Sequence, residues 1–161
     1  MGYYDTAQIC IQGHVISGCY TKYPDFRKAF CDRCGKATIT QCPACGEPIR
    51  GMYYHDGPVL GASYRIAPDY CHACGKPYPW TELKMQAAQG MIAELDGLDP
   101  DDRKILTQSL DDLMADGPKT EVAGLRFKRI MKKVGKDSYD AFKTIVTGLV
   151  SEGIKKTLFK P

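Results

Sequence analysis

From Leu83 to the C-terminus, apolar residues fall at helical intervals, whereas before Trp80 they form short aromatic and β-branched runs interrupted by cysteine pairs. Leu83, Ala87, Met91 and Leu95 recur every four residues with Ala88 and Ile92 beside them, which predicts a helix with one apolar face. "LDPDD" marks a second helix start, with Asp99 as N-cap, Pro100 at the first helical position, and Asp101 and Asp102 at the positive end of the helix dipole. Ile105, Leu106, Leu110, Leu113 and Met114 form its inner face, and "DGP" stops it, with Gly117 as the expected cap. A third helix, capped by Thr120, turns Val122, Ala123, Phe127, Ile130, Met131 and Val134 inward and closes at Gly135. A fourth, opened by Asp137 or Ser138, carries Tyr139, Phe142, Ile145, Val146, Leu149, Val150 and Ile154. Four helices with short connections predict a small bundle over residues 81–161.

The first half predicts hairpins instead. Between Cys45 and Cys71, "IRGMYYHDGPVLGASYRI" has strand-forming residues broken by "HDGP", a hairpin with its turn near Asp56 and Gly57. All eight cysteines lie at or before Cys74, so composition changes where the periodicity does. The chain thus reads as two regions, 1–80 and 81–161. No apolar run approaches the roughly 20 residues of a membrane span, and the N-terminus has neither a basic start nor an apolar signal core. The expectation is a cytoplasmic protein without a transmembrane segment. In a reducing compartment, clustered cysteines point to metal rather than to disulfides.

Three pairs share one form, "CDRCG" at Cys31 and Cys34, "CPACG" at Cys42 and Cys45, and "CHACG" at Cys71 and Cys74. Two intervening residues let both sulfurs turn to one metal, and the following glycine permits the positive φ of a tight turn. Tetrahedral zinc needs four ligands, so three pairs supply one site and half of another. The other half must come from "ICIQGHVISGCY". Cys10 and His14 are joined by a local turn with a glycine before the histidine, whereas Cys19 has to be returned by a longer loop, so the reading favours His14 with Cys19 as competitor. The predicted sites are Cys10, His14, Cys31 and Cys34, and Cys42, Cys45, Cys71 and Cys74, in two successive zinc ribbons over 1–40 and 41–80. Spacing alone leaves an interleaved, cross-braced pairing open. His72, inside its knuckle, and His55, at the expected turn, read as surface residues.

Charge narrows the function classes. Residues 1–80 hold eight Lys/Arg and six Asp/Glu, and seven thiolates with two zinc ions would turn that small positive balance slightly negative. Residues 81–118 are acidic and residues 119–161 basic, with Arg126, Lys128, Arg129, Lys132, Lys133 and Lys136 grouped on and after the third helix. That group reads as a solvated face, as a patch for phosphate or an acidic partner, or as a docking face for the acidic second helix. Neither H-E-x-x-H nor H-x-E occurs, and the ligand supply fills two closed sites, so two structural Zn2+ ions and no catalysis are expected.

"YYDTAQICIQGHVI", "FCDRCG", "CPACGEPIRG" and "YCHACGKPYPWTE" together resemble the uncharacterised bacterial family catalogued as domain of unknown function 2321. The Cys10, His14, Cys31, Cys34 arrangement is also similar to bacterial zinc-ribbon modules with three cysteines and a histidine, which implies those four as ligands. The resemblance implies a fold and no activity. The expected architecture is therefore a small zinc-stabilised β region of two zinc ribbons followed by an all-α bundle, α+β overall. The expected function is a non-catalytic adaptor that binds a protein partner. The alternative is RNA or single-stranded nucleic-acid binding, with Arg33, Lys36, Arg50 and Arg65 on the zinc half and Arg126, Arg129 and Lys133 on the helical half meeting phosphates.

Overall fold

The structure is a computed structural model that describes residues 2–55 and 64–159. It forms two compact units, Met1–Leu83 and Lys84–Pro161. Small antiparallel sheets occupy the first and helices the second, an α+β chain.

In the first unit, β1 (Tyr3–Thr6) pairs with β5 (Arg50–Tyr54), and β2 (Gln8–Cys10) lies between β3 (Val15–Ser17) and β4 (Thr38–Ile39). A single 3-10 turn covers Pro24–Phe26. The hairpin expected between Cys45 and Cys71 falls largely outside the described residues. The strand Arg50–Tyr54 takes the N-terminal strand as partner, in the register Tyr3 with Tyr54 and Tyr4 with Tyr53, while the turn expected at Asp56 and Gly57 lies outside the described residues. Backbone hydrogen bonds thus link the two cysteine-rich stretches. Ala7 donates to the Ile49 carbonyl at 2.7 Å and Met52 to that of Gly18 at 2.8 Å.

A bulge in β1 explains the pairing. It interrupts the ladder between Tyr4 and Thr6 and leaves Asp5 buried, its carboxylate accepting from the backbone N–H groups of Thr6 at 2.6 Å, Thr21 at 2.9 Å and Lys22 at 3.1 Å. Burial opposes ionisation of Asp5, but the N–H groups of Thr21, Thr6 and Lys22 outweigh it and hold the carboxyl below its ordinary value. Beneath lies a small core of Ala7, Ile9, Ile49, Tyr78 and Trp80 together with Cys42 and Cys71. A core this small gives the unit little hydrophobic stabilisation, at roughly 1.5–3 kcal/mol per large side chain.

The second unit contains five helices rather than four: α1 (Pro79–Glu94), which begins in the first unit, α2 (Pro100–Met114), α3 (Thr120–Met131), α4 (Lys136–Thr147) and α5 (Glu152–Phe159). The expected fourth helix breaks at Gly148–Ser151 because Gly148 weakens its continuation and the Ser151 hydroxyl accepts from the N–H of Ile154 at 3.5 Å, opening a new helix. Asp99 caps α2 as expected, accepting from Asp102 N–H at 2.8 Å. Other boundaries move. Asp116, not Gly117, takes the left-handed position after α2 at φ 45°. Thr120 does not cap α3; its hydroxyl accepts from Gly117 N–H at 2.8 Å and donates back to the Asp112 carbonyl at 3.3 Å. Gly135 opens α4 instead of closing α3, because its extended backbone presents its carbonyl to Tyr139 N–H.

The inner face of α1 is also shifted, to Met85, Ala88 and Ile92 with Met91 at its margin, and Leu95 is buried just past its end. Leu83 and Ala87 are exposed. Strict four-residue spacing drifts around a helix of 3.6 residues per turn, so the 3-4 alternation stays inward and Leu83 does not. Val122 is likewise exposed, while the other apolar positions named on the last helices are buried or half-buried. Arg103 closes the end of α1: its guanidinium donates to the carbonyls of Ile92 at 2.5 Å, Leu95 at 2.7 Å and Ala93.

Candidate metal centres

Each cysteine pair folds through the same local pattern. The first cysteine's N–H donates to the carbonyl five residues on, in Lys36, Glu47 and Lys76, and the N–H of the glycine four residues on donates back to the cysteine carbonyl, all at 2.8–2.9 Å. Bridges of Phe30 with Ala37, Gln41 with Pro48 and Tyr70 with Pro77 clamp the three ends. Gly35, Gly46 and Gly75 have φ of 68°, 77° and 71°, and a Cβ at any of them would meet open space. Glycine is needed there for backbone conformation, not for room.

"CIQGH" builds the fourth half-site differently. Gly13, at φ 87°, donates to the Cys10 carbonyl at 2.8 Å, and Cys10 donates to that of His14 at 3.0 Å, closing the β2–β3 turn with both side chains on one side. The Trp80 Cβ and Cγ lie 3.0 and 3.1 Å from where a Gly13 Cβ would stand. Trp80 is itself fixed by its indole N–H, which donates to the Pro68 carbonyl at 2.8 Å.

Two tetrads result. Cys10, His14, Cys31 and Cys34 form one, and Cys42, Cys45, Cys71 and Cys74 the other, with the ligand atoms of each within 4.8 Å of one another. In the first, His14 Nδ1 lies 3.5 Å from Cys10 Sγ and 3.6 Å from Cys31 Sγ, and Cys10 Sγ lies 3.8 Å from Cys34 Sγ. In the second, the Cys42–Cys74 and Cys45–Cys71 sulfurs are 3.8 and 3.7 Å apart. These separations are far beyond the roughly 2.05 Å of a disulfide, and all the thiols are free. The pairing is sequential. Each tetrad is able to hold a metal ion.

The electrostatics of the clustered thiols show why a cation suits them. Backbone N–H groups of Cys74 and Ala73 pull the Cys71 thiol down to about 6. Cys45, although it accepts from the Glu47 backbone, is pushed up to about 12 by desolvation and by the sulfurs of Cys74, Cys42 and Cys71. In the first tetrad burial opposes ionisation of Cys31, but the N–H groups of Arg33 and Cys34 hold it at about 7, whereas desolvation raises Cys10. Thiolates this close repel, so one ionises at the expense of its neighbours until a positive ion stands among them.

Cys19 stands apart from both tetrads. Its sulfur accepts from the Tyr54 hydroxyl at 3.1 Å, and that hydrogen bond, with desolvation, raises the Tyr54 phenol. Tyr78 takes a place that the sequence did not indicate. Buried in the small core with Cys42 and Cys71, its phenol is raised by desolvation first and by the neighbouring Cys71 sulfur. The only signal was its position, four residues after Cys74 in "PYPW". His72 approaches Glu47 at 3.5 Å, and His55 is exposed beside Tyr53; neither joins a tetrad.

The basic residues named for nucleic acid, Arg33, Lys36, Arg50, Arg65, Arg126, Arg129 and Lys133, are all exposed. Arg50 lies over the Tyr4 ring at 4.9 Å, and Lys133 pairs with Asp102 at 2.6 Å, a link between α3's C-terminal end and the acidic start of α2. Among the described residues no helix is long and apolar enough to cross a membrane.

No curated protein and no solved structure matches the chain. One family model does, over residues 3–158, and so spans both the tetrads and the helices. The chain belongs to that family, described as an uncharacterized protein conserved in bacteria, domain of unknown function 2321.

Proposed function

We propose that each tetrad holds a structural zinc ion and that the protein is a non-catalytic interaction module, its metal-braced loops and helices forming surfaces for a protein partner. The ligand spacing carries this reading. Around a tetrahedral ion with Zn–S of about 2.3 Å and Zn–N of about 2.05 Å, sulfurs lie about 3.8 Å apart and sulfur and nitrogen about 3.6 Å apart. The sulfur pairs at 3.7 and 3.8 Å and the sulfur–nitrogen pairs at 3.5 and 3.6 Å agree with those edges. Four protein ligands fill a tetrahedron and leave no position for water or substrate, which favours a structural over a Lewis-acid role. The thiolate-rich sets suit zinc, with iron as the competing metal that elemental analysis separates.

Exposed Tyr3, Tyr4, Tyr53, Tyr70, Phe26 and Phe30 on the first unit support a binding role, since aromatic side chains are enriched where proteins meet. The same surface favours a second reading. Tyr4 and Tyr53 lie 4.8 Å apart with Arg50 over Tyr4, an arrangement on which single-stranded RNA bases stack.

Elemental analysis of the purified chain tests the metal reading. Wild type and Cys19→Ser carry two zinc ions and His14→Ala one; equal counts in His14→Ala and wild type contradict the ligand set. Affinity purification from native bacterial lysate tests the adaptor reading, which falls if no protein is retained. Salt-dependent binding to polyuridylate puts RNA in its place.

A further inference from the structure

The first unit contains an open cleft of about 400 Å³ between the β1–β5 ribbon and the chain from Tyr64 to Tyr70. Its apolar walls face solvent. Ile66 is 85% exposed, the highest value of any large apolar residue among the described ones, and Tyr4 and Tyr70 are 52% and 43% exposed. Ala67 and Pro68, both half-buried, continue the wall between Ile66 and Tyr70. Both sides are held in place. Tyr4 packs on Tyr53 across the ribbon at 4.8 Å, and the Pro68 and Asp69 carbonyls accept from the Trp80 indole N–H and the Thr81 hydroxyl, each at 2.8 Å.

The charged side chains of the cleft are engaged, with one exception. The Asp69 carboxylate accepts from the Thr81 hydroxyl at 3.4 Å, and His72 faces Glu47 at 3.5 Å. Arg50 lies over the Tyr4 ring at 4.9 Å and is in no ion pair among the described residues. A guanidinium stacked on an aromatic ring keeps its in-plane N–H groups available, and it can only donate. The surface therefore asks for an occupant that is apolar, supplies acceptors and one negative charge, and brings few N–H groups of its own. A polyproline-type segment does so, because proline has no N–H and the carbonyls of that extended helix stay unpaired. An α-helix of about 10–12 Å diameter does not enter a cleft this small, and one cation does not follow a phosphate backbone.

We propose that this cleft docks an extended, proline-rich segment of a partner protein, with prolines packed against Tyr4, Ile66 and Tyr70 and a neighbouring carboxylate paired with Arg50. The inference rests on the interaction-module reading and specifies its partner. Aromatic-lined grooves take such segments at low entropic cost because the ligand is extended before it binds, and here the walls are fixed as well.

The test uses the full metal-loaded chain on an array of Pro-x-x-Pro decapeptides, half carrying Asp or Glu beside the motif and half Lys, followed by fluorescence anisotropy with the strongest binder labelled with fluorescein. Acidic members should bind, and replacing the prolines by alanine or the acidic residue by lysine should weaken binding at least about tenfold. Ile66→Ser should lose a similar factor, while Leu125→Ser, which removes an exposed apolar side chain from the helical unit, should change affinity no more than about twofold. Arg50→Glu should exchange the preference, so that lysine members bind more tightly than acidic ones. Absence of array binding, equal affinity for the alanine peptide, equal losses in Ile66→Ser and Leu125→Ser, or an Arg50→Glu chain that still prefers acidic members overturns the proposal. So does binding of polyuridylate, but not of any peptide, that depends on Arg50. Zinc content and lysate capture are measured on the same preparation. Two zinc ions and a retained protein without peptide binding refute this partner chemistry while leaving the interaction-module reading standing; no retained protein removes that reading itself.

Discussion

Replacing Asp5 by Asn should destabilise the first unit although no metal ligand and little volume change. The carboxylate is buried and accepts from three backbone N–H groups, those of Thr6, Thr21 and Lys22, which anchor the loop after Gly18 to the bulge that sets the β1–β5 register. An asparagine keeps one acceptor oxygen and presents an NH2 group to the remaining donors. Hydrogen bonds to a charged group contribute about 1.5–3 kcal/mol each, and an unsatisfied buried donor costs about 1–3 kcal/mol, so with one contact retained the loss should be about 2–4 kcal/mol. The single tryptophan, Trp80, is buried in this unit and makes intrinsic fluorescence a local probe of urea unfolding. The pH dependence has a definite sign. The folded pKa lies below the ordinary 3.8, so the carboxylate's contribution is fully present above that value and is lost only as pH falls through the lower folded value. The Asp5→Asn penalty should therefore be constant between about pH 8 and pH 5. A penalty under about 0.5 kcal/mol, or one that shrinks across that window, refutes the carboxylate as the organiser of the bulge.

Gly13→Ala should cost about 1–3 kcal/mol, because φ is 87° and the new methyl meets Trp80 at 3.0 Å; a Trp80 unfolding curve unchanged from wild type contradicts this. Arg103→Ala should cost the second unit about 2–4 kcal/mol by leaving the carbonyls at the end of α1 without their donors, measured by urea titration of circular dichroism at 222 nm.

What could be read in advance was local. The two tetrads were legible because each knuckle is a short loop whose hydrogen bonds are internal, and because Cys10 to His14 closes as one tight turn with Gly13 at positive φ. Asp99 was legible for the same reason: its bond to Asp102 spans three residues. The pairing of Tyr3–Thr6 with Arg50–Tyr54 was not, since nothing within either segment distinguishes that partner from a local hairpin, and the Asp5 contacts that select it reach residues 16 and 17 positions away. The break between α4 and α5 was hidden by an apolar period that continues through it, from Phe142 and Val146 to Val150 and Ile154. There a serine cap and one weak helix former, Gly148, outweighed the pattern. Tyr78 went unassigned because nothing local in the sequence shows that it packs in one core with Cys42 and Cys71.

Zinc K-edge X-ray absorption on the protein as purified tests the two-centre account most directly. The account predicts a first shell at about 2.3 Å dominated by sulfur, with seven sulfurs to one nitrogen shared over two zinc ions per chain. A protein without zinc, or a shell rich in oxygen from bound water, contradicts it.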